Sequence, residues 1–183
     1  MDNYSMIGSK EVFALEYEFF DEYHATELLM YVGGKNILGF TNDIHRTTRW
    51  NLDELAEYLR EFLDTMEDDP FPMDVEGRFA AEKDSAARDF DSDDDDIFDQ
   101  YYESLNDWAW RHTWLHARAG AILAHVFFQQ VGDTVEISWN NEDLDDGVVF
   151  DYKLGGAAIP KDTFIQVVND FLRAYALHWF NGA

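Results

Sequence analysis

Two stretches of this 183-residue chain carry side chains at spacings that chemistry could use. One is His112-Thr113-Trp114-Leu115-His116. The other is the run Asp89-Phe90-Asp91-Ser92-Asp93-Asp94-Asp95-Asp96. Two histidines four apart on a helix share a face, which is what a metal ion asks of them. A helix turns about 100° per residue, so Glu103 lies about 180° from His112 and Asp107 about 140° away. Neither can complete a metal site from the same helix. Leu105, Trp108 and Leu115 share the histidine face instead, which places His112 in or beside the core and His116 at its edge. His112 and His116 therefore stand as the candidate ligands of a metal-dependent enzyme only if carboxylates arrive from elsewhere in the fold.

The aspartate run invites a calcium reading. An EF-hand loop needs oxygens at alternate positions, a glycine at the sixth and a glutamate at the twelfth. Starting at Asp89 puts Asp94 at the sixth place and Gln100 at the twelfth. Starting at Asp91 puts Asp96 and Tyr102 there. Both registers fail. Phosphate-binding glycine loops and the G-x-S-x-G elbow are absent as well. Gly33-Gly34 and Gly155-Gly156 read as turns, and Ser138 as a surface hydroxyl. With 38 acids in the chain, paired carboxylates for acid–base catalysis have no specificity as a signal. No cofactor is implied. With no Cys, disulfides, thiolate metal sites and cysteine nucleophiles are excluded.

What stands out is charge. The formal net charge is −25. Residues 64–107 alone hold 17 acids and 3 bases. Nucleic acid phosphates need Lys and Arg to displace counterions, so direct binding to DNA or RNA is disfavoured, as is an anionic membrane. The field attracts a basic protein surface, and such association is fast and salt-sensitive. The run should be solvated and mobile unless something positive binds it.

Three further features bear on that charge. Glu16 and Glu18 alternate on a predicted strand, about 6.6–6.8 Å apart. Glu54, Glu57 and Glu61 fall about 5–6 Å apart on a predicted helix. Asp91, Asp93, Asp94, Asp95, Asp96, Asp99, Glu103 and Asp107 form a longer ribbon. Successive phosphates of one strand lie about 6–7 Å apart, so carboxylates at this spacing can imitate a nucleic acid. Salt adaptation is the competing explanation, since Asp is 24, Glu 14, Lys 5 and Arg 8.

The elements that must position these residues follow from periodicity. Phe13, Leu15, Tyr17 and Phe19 alternate with polar neighbours as in a half-buried strand. Residues 27–32 and 36–40 read as a hairpin about Gly33-Gly34-Lys35. Asn51 caps a helix to about residue 63, with Leu52, Leu55, Leu59, Phe62 and Leu63 inward. Residues 64–92 lose periodicity and read as a long acidic surface insertion, partly disordered. A second helix is predicted over 93–117. A strand pair follows at 123–130 and 134–140, with Val135, Ile137 and Trp139 inward and Thr134, Glu136 and Ser138 outward. A strand from Val148 to Leu154 leads to a last helix over 161–180. The order is β-β-β-α, acidic insertion, α-β-β-β-α: one α+β domain over 1–183, an antiparallel sheet with helices packed against it. The start lacks the features of a signal peptide and no apolar run is long enough to span a membrane, so the expected compartment is the cytoplasm.

Gln129-Gln130-Val131-Gly132-Asp133-Thr134-Val135-Glu136-Ile137-Ser138-Trp139, preceded by Arg111-His112 and followed by Gly156, Pro160 and a closing helix, resembles a pattern in uncharacterised bacterial proteins associated with immunity and defence. The resemblance covers roughly 108–180 and names no catalytic residue. By class, small acidic proteins without a catalytic motif resemble immunity, anti-restriction and anti-CRISPR proteins. It implies a non-enzymatic inhibitor of a bacterial nuclease, toxin or CRISPR/restriction component, occluding a basic nucleic-acid-binding or catalytic surface. The alternatives are the metal-dependent enzyme and a structural subunit of an assembly that uses exposed aromatics such as Trp110 and Trp114.

Overall fold

Alternation of aromatic and polar residues builds the first sheet. In the computed structural model, which describes residues 4–20, 24–41, 49–118, 122–142 and 148–180, β1 (Ser5–Ser9), β2 (Phe13–Phe20), β3 (Ala25–Val32) and β4 (Lys35–Asn36) pair antiparallel in that order. Gly33 and Gly34 both take positive φ (56° and 81°), the two-residue turn whose twist matches its strands. The hairpin is shorter than expected. Only Val32↔Lys35 and Tyr31↔Asn36 pair. The chain then leaves, and β5 (Phe40–Thr41) pairs instead with β9 (Val149–Phe150), while β6 (Arg49–Trp50) continues along β3. The edge strand β1 was not signalled by the sequence, because SMIGS has no apolar alternation.

Two helices join the core behind this sheet: the later one lies across β1 and β2, and the earlier one packs on it. α1 (Asp53–Thr65) starts where Asn51 Oδ1 accepts the Asp53 amide at 2.7 Å. It buries Leu55, Ala56, Tyr58, Leu59 and Phe62. α4 (Lys161–Trp179) starts after Pro160 and buries Phe164, Val168, Phe171 and Tyr175 on one face. Phe164 stacks on Phe13 with centroids 5.3 Å apart, and Phe171 meets Tyr17 edge-on at 5.4 Å. The Tyr175 hydroxyl donates to Asp53 Oδ1 at 2.6 Å, joining α4 to α1.

The second sheet runs β10 (Leu154–Pro160), β8 (Thr134–Asn140), β7 (Val126–Val131), all antiparallel. Val135, Ile137 and Trp139 of β8 face the main core, as their alternation predicts. The opposite face departs from expectation. Ser138 is fully buried, and Glu136 is half-buried. The cover is α2 (Ala80–Ala87), whose Ala80 amide donates to Glu136 Oε1 at 2.6 Å and whose Ala81 amide donates to Ser138 Oγ at 3.1 Å. Segment 64–92 is thus a second layer over the sheet, not a loop lying free on the surface. Its alanines allow close approach but carry almost no periodic signal.

The glycine pair predicted as a turn is also corrected. Gly155 and Gly156 sit inside β10, between aromatic rings. A Cβ on Gly155 would lie 2.6 Å from Trp139 Cζ2, and one on Gly156 would lie 2.6 Å from Phe79 Cγ. Adjacent strand residues point to opposite faces, so the pair admits one ring on each side. The whole is an α+β fold with antiparallel sheets. No helix among the described residues is long and apolar enough to cross a membrane.

Candidate functional site

α3 (Asp95–His112) begins with Asp94 as its cap. The Asp94 carboxylate accepts the Asp96 and Ile97 amides at 3.1 and 3.2 Å. Asp95 and Asp96 in the first turn also favour the positive end of the helix dipole. The C-terminal half buries Leu105, Trp108, Ala109 and His112. In the N-terminal half, every residue from Asp93 to Gln100 is exposed.

Asp96, Asp99, Glu103, Asp107 and Trp110 recur at spacings of three and four, and all are exposed. They form one stripe along α3. At about 1.5 Å per residue, the carboxylates span about 16 Å, stepping about 4.5–6 Å at a time. None of the four acids makes an ion pair among the described residues.

Asp91, Asp93 and Asp95 are exposed beside this stripe rather than on it. The Asp91 carboxylate accepts the amide of Ser92 at 2.9 Å. The run is solvated, as its charge predicts, and is flanked by contacts at both ends. Phe90 stacks on Tyr101 at 3.9 Å, and the Tyr102 hydroxyl donates to the Arg88 and Phe90 carbonyls at 2.8 and 3.0 Å.

The predicted histidine pair is not on one helix. α3 ends at His112, Thr113 is extended, and His116 lies in a separate 3-10 turn, Leu115–Arg118. His112 is buried and stacks on Trp108 at 4.2 Å. Its Nδ1 meets the Phe128 carbonyl at 2.8 Å, and its Nε2 meets Asp69 Oδ2 at 2.9 Å. Both partners are oxygens of the fold itself, so each ring nitrogen is already held by the protein. Neither nitrogen is left open for a metal ion. No group of three or more potential ligands occurs among the described residues.

Asp69, which no spacing in the sequence singled out, is the hub of this corner. Its carboxylate also receives Arg111 Nε and Nη2 at 3.3 and 2.9 Å. Its carbonyl accepts from Trp108 Nε1 and Gln129 Nε2. Burial pushes the Asp69 carboxyl up, but the hydrogen bonds and charges of His112 and Arg111 outweigh it and hold the group below its ordinary value.

Beside the hub, α1 and the end of α3 enclose a cleft of about 470 Å³. Tyr58 and Phe62 are its buried aromatic residues, and Glu61 and Asp64 its exposed acids. Trp110 and His116 stack at 4.0 Å and 16° and line it from the other side. A smaller hollow of about 80 Å³ reaches Asp69 and His112. Trp110 is 64% exposed, whereas Trp114, also expected at an interface, is fully buried and donates to the Ala124 carbonyl at 2.9 Å.

Fold and surface together define an α+β protein with an acidic helix face, unpaired among the described residues, that ends at an aromatic cleft. The chain belongs to a family of unknown function (DUF5984), matched over residues 25–178. No curated protein and no solved structure matches it. The matched stretch includes α2, the aspartate run and the cleft, and leaves β1 and β2 outside.

Proposed function

We propose that this protein is a non-enzymatic inhibitor that binds a basic protein and occludes its nucleic-acid-binding or catalytic surface. The observation that carries the reading is the stripe Asp96, Asp99, Glu103 and Asp107, exposed, free of ion pairs among the described residues and held on one rigid helix. Its steps approach the phosphate spacing of a nucleic acid strand, about 6–7 Å. Asp91, Asp93 and Asp95 widen the acidic field, while Asp94 mainly caps α3. Exposed ion pairs contribute about 0.2–1 kcal/mol each, so binding is collective. Ile97 and Phe98, 53% and 37% exposed, add apolar contact at the tip of the helix. The proposed targets are a bacterial nuclease, a toxin or a CRISPR/restriction component, and the proposed compartment is the cytoplasm.

The test is capture from cells with the full chain and with D96N/D99N/E103Q/D107N. The wild type should retain a basic nucleic-acid-binding protein that salt or competing DNA releases, and the variant should lose most of it. Equal capture by both would end the acidic-face reading.

A further inference from the structure

The cleft between α1 and α3 combines features of a cation site that the acidic face alone lacks. We propose that it receives the guanidinium of an arginine side chain on the basic partner, stacked on Trp110 and paired with Glu61 and Asp64. The proposal deepens the reading above and rests on it.

Charge complementarity selects the occupant. Glu61 and Asp64 are exposed and make no ion pair among the described residues. They lie on the last turns of α1, where the helix dipole is negative and the last turn holds no basic residue. The two cations nearest the cleft do not neutralise them. Arg111 is spent on Asp69 and on the Asp107 carbonyl, to which its Nη1 donates at 2.9 Å. His116 is held below its ordinary value of 6.5, chiefly by burial, against the raising effect of Glu61 and Glu54. At neutral pH it is therefore an uncharged ring.

Shape selects arginine over lysine. The Trp110 indole is oriented by its stack with His116 yet remains 64% exposed. A planar guanidinium stacks on such a face and still presents its N–H fork to carboxylates; an ammonium offers only a point charge. The volume of about 470 Å³ leaves ample room for an inserted arginine side chain.

The test uses the full chain and acetyl-Gly-Arg-Gly-amide as the probe. The readout is the Trp110 indole N–H in ¹H–¹⁵N spectra, assigned by its loss in W110F. The peptide should shift that resonance saturably, and the neutral norleucine analogue should leave it in place. Affinity should fall at least about fivefold in E61Q/D64N. Glu61, Asp64 and Trp110 are exposed, so these variants should fold, which circular dichroism checks. An unmoved Trp110 resonance, an equal response to norleucine, or unchanged affinity in E61Q/D64N would each overturn the proposal. If the peptide fails while salt-sensitive capture of a basic protein persists, the cleft is lost and the acidic-face reading stands. If the peptide binds as expected while the α3 stripe variant still captures the partner, the acidic-face reading is lost and the cleft stands.

Discussion

Asp69 Oδ2 and His112 Nε2 lie 2.9 Å apart across 43 residues of sequence, and this contact ties the acidic segment to the sheet. His112 reaches β7 through the Phe128 carbonyl, and Asp69 reaches it through Gln129. One residue thus joins the segment before α2, the end of α3 and the second sheet, through its carboxylate and its backbone carbonyl. Asp69→Asn removes the carboxylate that meets the buried His112 ring and leaves Arg111 without its ion-pair partner. A loss of about 2–3 kcal/mol is expected, read from urea unfolding at pH 7.

The same pair fixes an acid response. The Asp69 carboxyl lies below its ordinary value of 3.8, so its contribution is present above that pH and is lost as pH falls through the lower folded value. The stability gap between wild type and D69N should therefore close in strong acid. A gap that stayed constant from pH 6 down to about pH 2 would show that Asp69 does not act through its charge.

Glu136 has the opposite sign. Burial under α2 pushes its carboxyl above the ordinary 4.5, although the Ala80 amide and the Ser138 hydroxyl pull it down. The folded state thus favours the protonated form, and stability is lost as pH rises through the folded value. Glu136→Gln keeps an acceptor for the Ala80 amide without the charge. It should raise the melting temperature at pH 7, and the difference should vanish below about pH 4, where wild-type Glu136 is protonated as well.

Gly155 and Gly156 are held by the rings of Trp139 and Phe79. Alanine at either position overpacks its face of β10 and should cost about 1–3 kcal/mol. The two variants should differ in near-ultraviolet circular dichroism, because G155A displaces the buried Trp139 and G156A displaces Phe79.

The α3 stripe should cost the fold stability. Asp99, Glu103 and Asp107 are like charges four apart, each pair destabilising by about 0.2–0.5 kcal/mol. D99N/E103Q should therefore raise the melting temperature slightly at low salt, and 1 M salt should erase the gain, since screening then does the same work. A protein that needed molar salt to stay folded would point to salt adaptation instead.

Period-two alternation on β2 and β8 and the apolar stripes of α1 and α4 were legible, because each pattern faces one continuous core. α2 was not, since AAEKDSAA has too few large side chains to mark a face. Gly155 and Gly156 look the same as turn glycines until Trp139 and Phe79 are placed. His112 and His116 share a helical spacing, but the helix ends between them, where Thr113 pairs with Phe127 as an isolated bridge. The cleft was only half legible. Glu61 appears in the acidic spacing of α1 and Trp110 among the aromatics, with no local signal that they line one hollow.

By itself the sequence determined the class of fold, the sign and concentration of the charge, and the absence of cysteine chemistry, because composition and short-range periodicity carry these. Tertiary structure alone decided which acids remain unpaired, which tryptophan stays in solvent, and that Asp69 meets His112. Those outcomes depend on contacts between residues tens of positions apart, where chain spacing imposes no distance and packing chooses the partner.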